Sequence, residues 1–261
     1  MLGKLIKHEL KATSKLLLPI FLILAVFTIM DRIVLSLDIF KGVFLFIPAI
    51  ITAGFVFCII AVNIVSFVII IIRFYKNLVK DEGYLMFTLP AKPYQLINSK
   101  LIVATLWTIA SIAASALAIF IVATTHTGLD EIMNGFQSLI NGLNDSFGSY
   151  GILFITELIV LILLAIINSI LFVYVSIAIG QLFNGHKLLG AILSYVGINV
   201  ALQIGGSILL VMAGLLFEDY IYSINSVPQF IFPITIVMTL LLSTAYYLIT
   251  DLIFRKKLNL D

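Results

Sequence analysis

The sequence predicts an all-α, polytopic membrane protein with six transmembrane helices and an amphipathic N-terminal helix. Three observations carry this. Apolar runs near residues 16–36, 43–72, 101–124, 151–183, 188–216 and 230–253 fill most of the 261 residues. Each meets or exceeds the roughly 20 apolar residues that a helix needs to cross a ~30 Å hydrocarbon core. Composition agrees, with 62% hydrophobic residues, 11% charged residues and a mean hydropathy of +1.22; a soluble domain has about a quarter of its residues charged. Charge, finally, is sorted along the chain rather than scattered.

Other membrane architectures fit poorly. Every backbone amide at lipid depth must find a partner inside the protein, which long unbroken runs achieve as helices. Barrel strands would read as alternating segments of about ten residues, and the chain has none. No stretch between the runs is long or apolar enough for a soluble core, so residues 1–261 read as a single transmembrane domain.

The sorted charge sets the topology. Lys4, Lys7, Lys11, Lys15, Arg73, Lys76, Lys80, Lys92, Lys100, Lys187, Arg255, Lys256 and Lys257 are thirteen of the fifteen basic residues, and six crossings put them all on one side. Only Arg32 and Lys41 fall on the other, beside Asp38, Asp130, Glu131, Asp145, Glu218 and Asp219. The positive-inside rule then places both termini in the cytoplasm.

Each element follows from its local pattern. In residues 1–15, Leu2, Leu5, Ile6 and Leu10 recur at helical spacing, with Lys4, Lys7 and Lys11 off that stripe. This fits an interfacial amphipathic helix whose lysines meet anionic headgroups, or alternatively a cytoplasmic extension of the first span. The first run is followed by Asp31 and Arg32 without a small-residue cleavage site, so it reads as a retained span rather than a signal peptide.

In the second run, Val43 to Phe74 contains no acidic residue and one basic residue, Arg73. About thirty helical residues reach roughly 45 Å. This helix and the similarly long fourth therefore tilt or project beyond the membrane on the cytoplasmic side. Cys58, the sole cysteine, excludes an intrachain disulfide and reads as a small buried apolar residue.

Residues 73–100 are the one sizeable cytoplasmic connection. Leu78, Leu85, Met86, Phe87 and Leu89 are interleaved with Lys76, Lys80, Asp81 and Glu82, Gly83 permits a bend, and Pro90 and Pro93 resist helix continuation. The pattern predicts a short helix over residues 76–90, lying across the foot of the spans. On the outer side, Ile132, Phe136, Leu139, Leu143 and Phe147 recur at steps of four, three, four and four within 127–150. They predict an extracellular amphipathic helix on or in the outer face, with Asp130 and Glu131 suited to its first turn. Tyr220 and Tyr222 in 217–229 are candidate interface anchors.

Small residues at four-residue spacing mark helix contacts in lipid. One stripe is Ala110, Ala114 and Ala118 with Ser111 and Ser115, and another is Gly197, Ala201 and Gly205. Each serves either packing within the chain or a subunit contact. Among polar groups at membrane depth, Arg32 and Glu157 form a possible neutralising pair, as a structural ion pair or as part of a substrate route. Asn63, Asn168, Asn199 and Gln203 read as hydrogen bonds between helices.

No catalytic set emerges, so an enzyme is not predicted. The histidines His8, His126 and His186 are dispersed, and no HExxH, GxSxG or G-x-x-x-x-G-K-[ST] motif is present. Metal and cofactor sites are not expected on this chain, and energy for any transport must come from an ion gradient or a partner.

The stretch Asp81-Glu82-Gly83-Tyr84-Leu85-Met86-Phe87-Thr88-Leu89-Pro90, followed by Tyr94, Gln95, Leu96 and Lys100, resembles the signature of bacterial type-2 ABC transporter permeases. The basic start Lys4-Leu5-Ile6-Lys7-His8-Glu9-Leu10 and the closing Lys256-Lys257-Leu258-Asn259-Leu260 look like those of Gram-positive members. The resemblance implies a six-span permease in the bacterial cell membrane. The segment after the second span would be a coupling helix docked on an ATP-binding-cassette ATPase subunit, which holds the ATP and magnesium. A second permease subunit, identical or homologous, would complete the pathway. Asp81, Glu82, Gly83, Tyr84, Met86, Phe87 and Pro90 would form the docking surface, with Glu82 the polar contact and Tyr84, Met86 and Phe87 the apolar anchors.

The implied activity is export of a hydrophobic or amphipathic substrate such as a peptide, lipid or antibiotic. The chain departs from the family in placing its outer segment, 127–150, between spans three and four rather than five and six, so the family's extracellular gate is not carried over. A non-transporting receptor, immunity or assembly protein is the alternative, followed by a gradient-driven transporter. No nucleic-acid partner is expected.

Overall fold

The computed structural model describes residues 2–37, 46–79, 92–126, 128–183, 185–216 and 227–256. Its helices are α1 (Leu2–Ser36), α2 (Phe46–Val79), α3 (Pro93–His126), α4 (Gly128–Phe147), α5 (Gly151–Gly180), α6 (Lys187–Leu216) and α7 (Phe232–Lys256). A 3-10 turn, Gly148–Tyr150, links α4 to α5, and a π turn, Val227–Ile231, precedes α7. Six helical stretches are long and apolar enough to cross a bilayer, and no strand occurs among the described residues. The protein is an all-α, multi-pass membrane protein.

Several boundaries differ from the sequence expectation. Residues 2–15 continue without a break into the first span as α1, so the amphipathic segment is that span's extension. Leu2, Leu5 and Ile6 are half-buried and Lys4, Lys7 and Lys11 exposed, but Leu10 is exposed and Glu9 and Thr13 complete the covered side. Pro19 lies within the same helix, as tolerated at membrane depth where neighbours re-satisfy a freed carbonyl.

Helix α2 runs on through Lys76 to Val79, and Pro93 opens α3 rather than merely interrupting the connection. At a first helical position, proline's missing N–H removes no helical bond and its fixed φ suits the start. The amphipathic helix expected within 127–150 is present as α4. Its two ends are marked by Gly128 and Gly148, at φ 71° and 54°, conformations that glycine adopts without a Cβ penalty. Tyr220 and Tyr222 lie outside the described residues.

The chain divides into two compact units, one of Met1–Arg73 with Ile102–Ile140 and one of Phe74–Leu101 with Asn141–Asp261. In the first, Leu24, Phe55, Cys58, Val62, Ala118 and Val122 form the core, with Phe21, Phe27 and Ala114 packed against it. Helices in lipid gain little from hydrophobic burial against one another, so close packing and hydrogen bonds hold them together. Here the bonds are specific. Asn63 Nδ2 donates to Ser115 Oγ at 2.8 Å, and Ser111 Oγ donates back to Asn63 Oδ1 at 3.2 Å. Trp107 Nε1 donates to Thr13 Oγ1 at 2.8 Å, and Arg73 pairs with Glu9 at 3.1 Å.

In the second unit, α5 packs along both α6 and α7. Its later half is the covered part, with Ile170 through Ala178 and Gly180 buried. Asn168 Nδ2 donates to Ser243 Oγ at 2.9 Å, and Phe172 meets Tyr195 and Tyr246 at ring distances of 4.8 and 5.7 Å. At the start of α5, Phe154 stacks between Phe147 and Phe232 at 4.6 and 5.2 Å.

Candidate functional site

Asp81, Glu82, Gly83, Tyr84, Met86, Phe87 and Pro90 lie outside the described residues, as do Leu85 and Leu89. The helix ends that lead into and out of their segment do not. In the second unit, Phe74, Leu78 and Val79 at the end of α2 and Leu96 and Ile97 at the start of α3 are all buried.

Aromatic contacts fix these ends. The Phe74 ring stacks on Tyr174 with centroids 3.5 Å apart and planes 11° from parallel, and it meets Phe254 edge-on at 6.0 Å. Such pairs contribute about 0.5–1.5 kcal/mol beyond burial. Around them lies a polar rim. The Arg255 guanidinium sits 5.9 Å from the Tyr94 ring centroid and pairs with Asp251 at 2.8 Å, while Tyr247 shares a hydrogen bond with Asn98. Lys92 N donates to Gln95 Oε1 at 3.4 Å, and Gln95 N to the Lys92 carbonyl at 2.8 Å. From the sequence, Phe74 closes the second apolar run and Tyr94 falls in the connection, and neither has a legible packing partner; a ring next to a basic residue near a helix end is the available signal.

The expected pair takes Arg32 from one unit and Glu157 from the other. Arg32 is exposed. Glu157 is half-buried, and its Oε2 has no hydrogen-bond partner among the described residues. Asp31, next to Arg32 in the sequence, is fully buried. Asp31 Oδ1 accepts a hydrogen bond from Thr52 Oγ1 at 2.8 Å, and its Oδ2 has no partner among the described residues.

Thr52 also lines an open groove along α2 with Leu35, Pro48, Ala53, Val56 and Phe57, about 660 Å³ in volume. Its walls suit an acyl chain or an apolar side chain.

Of the four amides, Asn63 and Asn168 bond to other helices as expected. Among the described residues Asn199 and Gln203 bond to each other instead: Gln203 Nε2 donates to Asn199 Oδ1 within one helix at 2.9 Å. Among the described residues, no group of three or more His, Cys, Asp or Glu residues is placed to hold a metal ion. Compared with known protein families, curated proteins and solved structures, the chain matches none.

Proposed function

We propose that this chain is the permease subunit of an ATP-binding-cassette transporter that exports a hydrophobic or amphipathic substrate. Two permease subunits enclose the pathway, and each docks through residues 81–90 on a separate ATPase subunit, the holder of ATP and magnesium. Closure of the ATPases pushes that segment, and the spans tilt from inward to outward access. The proposed setting is the bacterial cell membrane, with both termini cytoplasmic.

The observation that carries this reading is the seating of the segment's two ends. Phe74, Leu78 and Val79 on one side and Leu96 and Ile97 on the other are buried in the unit that also holds α5 and α7. A push on the segment therefore meets packed side chains rather than slack chain, which is what transmission between packed elements requires. The apolar groove along α2 favours the hydrophobic substrate class.

The test is affinity purification of the full chain from native membranes. An ATP-binding protein is expected to accompany the wild type and to be lost from Glu82→Lys, with membrane insertion unchanged. Normal co-purification and transport by Glu82→Lys would remove the docking role. A wild-type chain that never brings an ATPase would favour the non-transporting receptor or immunity protein.

A further inference from the structure

Asp31 is the most deeply buried acid among the described residues, with no exposed surface. Its Oδ1 takes the Thr52 hydroxyl at 2.8 Å, and its Oδ2, also buried, has no partner among the described residues. A carboxylate can accept about four hydrogen bonds, and a buried charge is ordinarily paired. An ionisable group inside a membrane therefore points to a function, and the partner a carboxylate calls for is positive.

The groove along α2 begins at this carboxyl. Thr52, Ala53, Val56 and Ile60 lie along one side of α2, and Leu35 of α1 forms the opposite edge. The volume, about 660 Å³, falls within the roughly 300–1,000 Å³ of small-molecule sites. From Pro48 to Ile60 the groove follows α2 for about 18 Å, the reach of an extended acyl chain. Its walls and Asp31 all belong to the first unit, so the contact of α1 with α2 is enough to build them. That contact is close, since Thr52 bonds to Asp31 and a Cβ on Gly54 would stand 3.4 Å from the Phe27 ring. Thr52 belongs to both features. Its proton goes to Asp31, which leaves its oxygen lone pairs to accept from a donor in the groove.

We propose that this groove seats a single-chain cationic amphiphile. A primary ammonium donates to Thr52 Oγ1 and is neutralised by the Asp31 carboxylate behind it, while the alkyl chain lies along Val56 and Ile60. An anionic headgroup would meet a buried like charge, and a neutral one would leave that charge unpaired. Discrimination therefore rests on the sign of the headgroup, and the apolar walls supply binding common to all three. This inference deepens the transporter reading by giving its amphipathic cargo a positive charge. It rests on that reading only for the ligand's being a substrate.

The test uses the full chain, purified from native membranes into phosphatidylcholine nanodiscs. Dodecylammonium, dodecanol and dodecanoate, each with a diazirine at the chain end, are photolysed at equal concentration, and the labelled peptides are mapped by mass spectrometry. The ammonium probe is expected to label residues 48–60 at least about tenfold more than the other two, the worth of a hydrogen bond to a charged group. Asp31→Asn keeps an acceptor for Thr52 and removes the charge, and should bring ammonium labelling down to the dodecanol level. Ala53→Phe fills the groove from an exposed position and should abolish labelling of 48–60 by all three probes.

Equal labelling by the three headgroups, no labelling within 48–60, or unchanged labelling of Asp31→Asn would overturn the proposal. The headgroup comparison on the wild type decides the matter even where Asp31→Asn fails to fold. ATPase co-purification is scored before reconstitution. A chain that brings an ATPase and shows no preference for the ammonium probe refutes this site alone. One that shows the preference and never brings an ATPase refutes the transporter reading alone.

Discussion

At the scale of single residues, the polar side chains at membrane depth carry the specific energetics. Asp31 is fully buried and accepts a hydrogen bond from Thr52. Removing one partner of a buried bond strands the other, whereas removing both leaves nothing to satisfy. Thr52→Val is therefore expected to destabilise the protein by about 1–3 kcal/mol. Asp31→Leu combined with Thr52→Val should fall nearer the wild type, as read by thermal unfolding in detergent. A double variant that loses as much as the sum of the single ones would contradict this.

Asn63 bonds to two serines on α3. A cycle of Asn63→Leu and Ser115→Ala is expected to give a coupling of about 0.6–1.7 kcal/mol, the range of interhelical hydrogen bonds in membranes. Zero coupling would show the contact to be incidental.

At the scale of elements, the tightest approach lies in the turn between α5 and α6. A Cβ on Gly180 would stand 2.6 Å from Ala191 Cα, and one on Gly190 would stand 2.7 Å from the Phe183 ring. Ala191 offers backbone, which yields less readily than the end of a flexible side chain. Gly180→Ala is expected to cost about 1–3 kcal/mol by overpacking and to lower the unfolding temperature by several degrees. Gly197→Ala, where nothing lies within 4 Å, should leave the unfolding temperature of the isolated chain unchanged. Equal effects at the two glycines would refute this account of the turn.

The elements also show what could be read without coordinates. Helix α4 is legible because its apolar residues recur at helical spacing, a property of one helix alone. The continuity of α1 was not, because a surface helix and a projecting span place the same lysines in the same aqueous layer. Pro93 was ambiguous for a related reason: proline both ends and begins helices, and only the path of the chain decides between them.

For the whole molecule, the sorted charge makes a prediction independent of function. A fluorescent protein fused after the last residue should fluoresce, and alkaline phosphatase inserted near Asp145 should be active. The reverse pattern would invert the topology. Contacts inside each unit are consistent with the sorting. The Glu9–Arg73 pair brings the N-terminal part of α1 to the C-terminal end of α2, and Arg255 over Tyr94 joins the end of α7 to the start of α3. In both units the basic helix ends meet one another.

The residues alone determined that the chain has six helices long and apolar enough to cross a bilayer. Length, hydropathy and charge are local quantities, and lipid leaves the backbone few other solutions. Tertiary structure decided which polar and small residues are already spent. Asn63 and Asn168 have partners on other helices, Ala118 is in a core, and Asp31 rather than Arg32 is the buried member of its pair. None of this is periodic or local, because a side chain's partner depends on which helix lies beside it.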